Sequence, residues 1–238
     1  MGQKEKIILT YQKDEIAKTF DEERGAYAHQ KYKHKVETDF LKSSLKEGDK
    51  VLDVACGTGR LAVEVLKEKV TYYGVDTSKV MTNYLKNKLK TYGKQAKIFI
   101  GDAEHLPFKD DTFDVVFSYH LLWHLPKENQ EKIIKEMLRV TRPEGKIVFD
   151  VLNKNFIWEK IKWIFGKSTD NGLSKLSRKE IEKIIEKKRY KLKYLSDAQI
   201  NNNFLYGIFN LINKIEFILP MSFYHMVYFK LRKEKKVN

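Results

Sequence analysis

The chain has 238 residues, enough for one sizeable core, and its 42% apolar, 13% aromatic and 33% charged make-up is that of a globular protein, not a disordered or fibrous one. Cys56 is the one cysteine, which excludes an internal disulfide and any cysteine cluster for zinc or iron–sulfur, and suits a reducing, cytoplasmic setting. Met1 to Tyr11 carries Lys4, Glu5 and Lys6 where a secretory signal has its apolar core, and no stretch reaches the roughly 18 apolar residues that span a bilayer, so neither export nor membrane crossing is expected.

The net charge of +14 is uneven: residues 151–238 hold 19 Lys/Arg against 8 Asp/Glu, residues 1–150 hold 27 against 24. A basic half attracts nucleic acid, an anionic substrate or an acidic membrane surface through one long-range field, and a solvated Lys-rich face carries the same charge with no partner. Only 7 of the 46 cations are Arg, the residue that forks onto phosphates and base edges, so nucleic acid is the less favoured partner.

In chain order, Ile16 to Leu45 is predicted mainly helical, interrupted at Gly25, with Phe20, Tyr27, Tyr32, Val36 and Phe40 supplying apolar surface. A turn over Lys46 to Asp49 precedes Lys50 to Ala55, whose aliphatic run predicts a buried parallel strand. Glycines follow, then a helix over Arg60 to Lys69 and a strand over Thr71 to Val75. The alternation continues with a helix at Lys79 to Tyr92, strands at Ala96 to Gly101 and Phe113 to Ser118, a helix at Lys127 to Thr141, a turn at Arg142 to Gly145 and a strand at Lys146 to Leu152. Five strands separated by helices or long connections predict a doubly wound α/β fold. Beyond it come a Trp- and Lys-rich stretch at Phe156 to Lys167, a helix at Arg178 to Lys188 capped by Ser177, a strand at Lys191 to Leu195, an aromatic helix at Phe204 to Phe217 and a last strand at Ser222 to Leu231. The aromatic helix and the basic tail after it would suit peripheral contact with an anionic membrane.

The chemistry concentrates in Val51-Leu52-Asp53-Val54-Ala55-Cys56-Gly57-Thr58-Gly59-Arg60. Gly57 and Gly59 allow a tight turn whose backbone approaches a ligand, and Asp76, 19 residues after Gly57, stands where a carboxylate would take ribose hydroxyls. Any nucleoside cofactor fits so far. The first glycine place of the dinucleotide fingerprint is filled by Ala55, however, and Asp53 just ahead repels a pyrophosphate. An ammonium and a sulfonium would be drawn there instead, which favours S-adenosylmethionine.

The motif resembles the first motif of the class I S-adenosylmethionine-dependent methyltransferases. Gly101-Asp102-Ala103-Glu104-His105-Leu106-Pro107-Phe108, Phe113 to Ser118 and Arg139 to Lys146 are similar to three further motifs of that family in the right order, with Glu144 where many members have glycine. Ile16-Ala17-Lys18-Thr19-Phe20-Asp21 resembles the opening of its small-molecule and lipid-type members. The resemblance implies the family's Rossmann-like seven-stranded sheet, its last two strands forming an antiparallel hairpin, with helical additions after strand 5 and between strands 6 and 7. It divides the chain into an N-terminal helical lid (1–45), a cofactor-binding core (46–153) and a C-terminal part of the same domain with acceptor-site additions and the edge hairpin (154–238). It implies S-adenosylmethionine, leaving as S-adenosylhomocysteine, against Asp53, Ala55, Cys56, Gly57, Gly59, Asp76, Thr77, Met81, Asp102, Ala103, Ser118 and Tyr119, with Phe20, Arg24 and Tyr27 as lid residues. Asp102 would take the adenine amino proton.

Methyl transfer is an in-line displacement that needs alignment and exclusion of water, and in principle no metal. A proton-bearing acceptor needs a base, for which the end of the fourth strand offers His120 first and Tyr119 next, with His124 a packing residue. The expected acceptor is a small molecule, lipid-like or quinone-type. An RNA methyltransferase using the basic half and a non-catalytic cofactor-binding protein stand as alternatives.

Overall fold

The computed structural model describes residues 2–25, 28–154, 173–186, 190–197 and 226–234. Three helices come first, α1 (Gln3–Tyr11), α2 (Asp14–Gly25) and α3 (Ala28–Lys42). The alternating core follows as β1 (Lys50–Val54), α4 (Ala62–Leu66), β2 (Thr71–Asp76), α5 (Lys79–Thr91), β3 (Lys97–Ile100), β4 (Phe113–Ser118), α6 (Lys127–Val140) and β5 (Thr141–Asn153). The chain then adds β6 (Lys175–Leu176), α7 (Arg178–Ile184), β7 (Tyr190–Asp197) and β8 (Met226–Lys233).

The sheet runs β3-β2-β1-β4-β5-β8-β7, with the two-residue β6 paired to β5 off this path. The first five strands are mutually parallel, and β8 enters antiparallel to both β5 and β7. This is the doubly wound Rossmann-like sheet with the expected edge hairpin. Strand order reverses between β1 and β4, so the carboxyl ends of those strands open a crevice where ligands bind in such sheets.

Alternate residues of each central strand serve opposite layers, which is why the strands are near-continuous in apolar residues. Leu52, Val54 and Val116 pack with Ile133, Ile134 and Met137 of α6 and Ile181 of α7 on one face. Val51, Tyr72 and Val115 pack with Leu41 of α3, Val65 of α4 and Leu85 and Leu89 of α5 on the other.

The structure departs from the sequence expectations in four places. α1 was not expected, and neither was β6. The helix after the glycine turn is only Ala62–Leu66, not Arg60 to Lys69. The turn expected at Arg142 to Gly145 is absorbed into a thirteen-residue β5, with its irregularity expressed as a register shift between Phe113 and Val115. Glu144 there has φ 64°, the left-handed conformation that favours glycine, the residue the resemblance implies at this place, and its carboxylate pairs with Arg232 of β8 at 3.2 Å. The stretches Phe156 to Lys167 and Phe204 to Phe217 lie outside the described residues. No helix among the described residues is long and apolar enough to cross a membrane.

Ser177 caps α7 as the sequence implies: its hydroxyl accepts from the Glu180 N–H, and the Glu180 carboxylate accepts from the Ser177 N–H at 2.8 Å. The same carboxylate holds Lys127 of α6 at 2.6 Å, so the cap also fastens α7 to its neighbour. Ser177→Ala is expected to cost about 1 kcal/mol, read as a lower urea midpoint, with Ser177→Thr close to the parent; an unchanged midpoint for Ser177→Ala would show that the cap contributes nothing.

Candidate active site

β1 ends at Val54, and the chain turns through three left-handed residues, Ala55 (φ 61°), Gly57 (φ 51°) and Gly59 (φ 73°). An alanine in that conformation costs roughly 1–2 kcal/mol, and such strain persists where its surroundings over-determine it. The fixing contacts come from β2: the Cys56 N–H donates to the Val75 carbonyl at 3.1 Å, and Asp76 accepts from the N–H groups of Gly57 at 2.9 Å and Ser78 at 2.8 Å. The two glycines have different reasons. A Cβ on Gly57 would meet no protein atom, because it would project into an open cavity, whereas one on Gly59 would run into Leu85 of α5.

That cavity, about 1120 Å3 with its mouth included, is lined by Phe20, Asp53, Ala55, Cys56, Gly57, Asp76, Thr77, Met81, Asp102, Ala103, Tyr119 and His120 among the residues expected at the site. Two expected residues do not line it. Gly59 packs the turn onto α5, and the Ser118 hydroxyl donates to the Val54 carbonyl at 2.8 Å, tying β4 to β1. Tyr27 and the side chain of Arg24 lie outside the described residues.

The part of the wall built by β1 and β2 is acidic. Asp53 accepts from the Tyr72 hydroxyl at 2.6 Å, yet burial pushes its carboxyl up to about 7. Burial also raises the Asp76 carboxyl, against the backbone N–H groups that favour its ionised form. Two carboxylates short of counter-charge beside an open glycine cradle fit a cationic, hydroxyl-bearing ligand and repel a pyrophosphate.

The roof is α1. Lys4, Ile7, Ile8 and Tyr11 face the cavity, at the i, i+3, i+4, i+7 spacing of one helical face. Lys4 pairs with Asp102 at 2.8 Å and Glu104 at 2.5 Å, and the Gln3 amide donates to the His124 carbonyl at 3.0 Å. At the other end the Ser78 hydroxyl donates to the Tyr11 carbonyl at 2.7 Å, and Phe20 of α2 meets the Tyr11 ring edge-on at 5.9 Å.

Beyond β4 the chain places His120 at φ 64°, with its N–H donating to the Asp150 carboxylate at 2.8 Å. Its Nε2 lies 2.6 Å from the carboxylate of Glu37, a residue of α3 with no solvent exposure. Glu37 also receives Arg60 at 2.5 Å, Lys33 at 3.9 Å and the Tyr228 hydroxyl at 3.1 Å. Burial works to raise Glu37, but His120, Arg60 and Lys33 outweigh it and hold the carboxyl well below its usual range. Burial, helped by Lys33 and Arg60, pushes His120 down against the pull of Glu37 and leaves its ring neutral at pH 7. Tyr119, the other candidate base, donates its hydroxyl to the Glu37 main-chain carbonyl at 3.4 Å, and burial pushes that hydroxyl well above its usual range, so it stays protonated at pH 7 and offers no free base.

Glu37 was missed in the sequence, where it sits in Lys33-His34-Lys35-Val36-Glu37 and looks like any solvated helix residue. With His120 and Asp150 it presents ligand atoms within 4.8 Å of one another, a grouping the sequence reading, which expected no metal, did not foresee. Arg60 and Lys33 already supply the positive charge there, and the Glu37–His120 hydrogen bond closes the gap between two of the ligand atoms. As it stands the donor set therefore does not suit a divalent cation.

A family model described as "Methyltransferase domain" matches residues 51–145. An uncharacterized protein of Methanocaldococcus jannaschii is 32% identical over 197 residues, covering 80% of this chain and 70% of that relative. The demethylmenaquinone methyltransferase of Bacillus subtilis is 32% identical over 139 residues, 57% of this chain and 59% of its own length. Among solved structures, magnesium protoporphyrin IX methyltransferase from Synechocystis, crystallised with SAH, superposes with a TM-score of 0.62 at 16% identity, over 87% of this chain and 84% of that one, a likeness of fold. The chain belongs to the class I S-adenosylmethionine-dependent methyltransferases, whose cofactor is S-adenosylmethionine.

Two outcomes are expected. Asp76→Ala weakens S-adenosylmethionine binding at least about tenfold in a calorimetric titration, since it removes both a carboxylate and the anchor of the turn; wild-type affinity would refute the placement of the cofactor. The Asp53 carboxyl titrates higher in the folded chain than unfolded, so the stability it lends is complete below about pH 4 and lost as pH rises towards 7. In ligand-free protein Asp53→Asn should flatten that part of the stability–pH curve, and an unaltered slope would show that Asp53 ionises normally.

Proposed function

We propose that this methyltransferase acts on a small, largely apolar acceptor, bound in the same cavity as the cofactor. One observation carries the reading: the cavity that holds Asp53, Asp76 and Asp102 is also lined by Ile7, Ile8, Phe20, Leu121 and Leu125, with His120 among them. Apolar walls with few polar groups are the usual form of a small-molecule site. Relatives whose names specify lipid-like acceptors agree with it, among them the demethylmenaquinone methyltransferase of Bacillus subtilis and a sterol 4-C-methyltransferase of Caenorhabditis elegans, 32% identical over 117 residues.

The cofactor supplies an electrophilic methyl group on a positively charged sulfur. Asp53 and Asp76 would meet its positive and hydroxyl-bearing parts, and Asp102 with the Ala103 backbone its base. α1, clasped at both ends, keeps water from the reacting atoms and holds both molecules in one orientation, where much of the acceleration of a direct displacement arises. Lys4 pairs with Asp102, so a cofactor base held by Asp102 would have to replace or share that ion pair.

The test is incubation with methyl-labelled S-adenosylmethionine in a cell extract, followed by separation into lipid, small-molecule and RNA fractions. Label in the lipid or small-molecule fraction is the expected result. Label confined to RNA would overturn the reading in favour of the basic C-terminal half, and cofactor binding with no label in any fraction would favour a non-catalytic role.

A further inference from the structure

Cofactor binding does not account for Glu37. A fully buried carboxylate on α3 is held against the ring of a cavity-lining histidine, and such a group is costly unless something uses its charge. We propose that Glu37 is a positioning residue for His120, that Nδ1 of His120 receives the acceptor's proton, and that the acceptor is therefore a molecule with a labile hydrogen on the atom to be methylated, a phenolic or enolic hydroxyl or an acidified carbon. The proposal rests on the small-molecule reading and names its substrate class.

The geometry fixes which nitrogen is which. Glu37 is an ionised acceptor 2.6 Å from Nε2, so Nε2 carries the hydrogen and Nδ1 carries the lone pair. Nδ1 makes no hydrogen bond among the described residues, and it is not one of the buried polar atoms left without a partner, so it is open to the cavity that His120 lines. The ring is held from several sides. Its backbone is pinned in a left-handed conformation by Asp150, and Trp123 packs against it edge-on at 5.8 Å while donating its own N–H to Asp150 at 3.3 Å.

The charges facing the pair explain why it rests neutral and can still take a proton. Lys33 and Glu37 come from α3, Arg60 from the glycine turn and Asp150 from β5, with the hydroxyls of Tyr119 and Tyr228 alongside. Burial, helped by Lys33 and Arg60, keeps the imidazole unprotonated before reaction. Once Nδ1 is protonated, the new positive charge lies beside the Glu37 carboxylate, a stabilisation made only as the proton moves. The step balances without an outside reagent: the acceptor's electron pair forms the bond to the methyl carbon, the sulfur–carbon pair returns to sulfur, and His120 Nδ1 takes the proton.

The experiment is 15N NMR of the histidine ring nitrogens in the ligand-free full chain, with His120→Gln assigning one of the six histidines. A protonated, pyrrole-type Nε2 and an unprotonated, pyridine-type Nδ1 that stay unchanged from pH 8 to pH 5 are expected. Glu37→Gln should mix the two tautomers and lower kcat about a hundredfold, with Glu37→Asp recovering part of the loss. A wild-type ring protonated on Nδ1, or a Glu37→Gln enzyme with wild-type kcat, would overturn the proposal. Should Glu37→Gln fail to fold, the wild-type tautomer decides alone. Because that spectrum needs neither cofactor nor acceptor, its outcome is independent of where the methyl label is found.

Discussion

A carboxylate without access to water has to be matched in charge, and Glu37 meets that condition by drawing partners from separate parts of the chain, His120 and Tyr228 onto one oxygen and Arg60 onto the other. Arg60 reaches it from the turn after β1, His120 from the loop after β4, Tyr228 from β8 and Lys33 from its own helix. Each partner constrains the element that carries it. The N-terminal helical region is thereby fixed to the cofactor turn, the loop after β4 is fixed to α3, and the last strand of the sheet is fixed to both. Removing the carboxylate would leave two cations facing a neutral imidazole in a buried space. Such a cluster contributes little net stability, but it selects one arrangement of the segments around it.

The second constraint is the strained turn between β1 and α4. Its left-handed residues are held by the Cys56–Val75 backbone bond and by Asp76, which accepts from the N–H groups of Gly57 after β1 and Ser78 after β2, and Asp53 remains under-compensated behind it. The turn and the two carboxylates form one device: backbone held open where a ligand lies close, with negative charge kept for a positive ligand. The roof completes it. Lys4 pairs with Asp102 and Glu104 from α1, so the contacts that fasten the roof involve Asp102, a carboxylate of the cavity wall.

Much of this was legible in the sequence where a residue type has one strong physical use. The apolar runs of β1, β2 and β4, the paired glycines, Asp76 at its spacing and Ser177 ahead of α7 all pointed to the positions they hold. What was missed depended on tertiary context. Lys4, Ile7, Ile8 and Tyr11 have helical spacing, but their segment is too short and polar to stand out before the cavity it covers is known. Glu37 has no local mark, since its burial is decided by Arg60 and His120, 23 and 83 residues away. Ser118 and Gly59 were expected at the cofactor from the motifs that carry the resemblance; one bonds across to β1 and the other makes room for Leu85.

The central claim is that the cavity between α1 and the β1–α4 turn holds the cofactor. The most direct measurement is a crystal structure of the full chain with S-adenosylhomocysteine. The expected result is the ligand in that cavity, with its hydroxyls at Asp76, its base near Asp102 and the Lys4–Asp102 contact exchanged or displaced. Ligand bound elsewhere on the chain, or a cavity left empty at saturating concentration, would contradict the account.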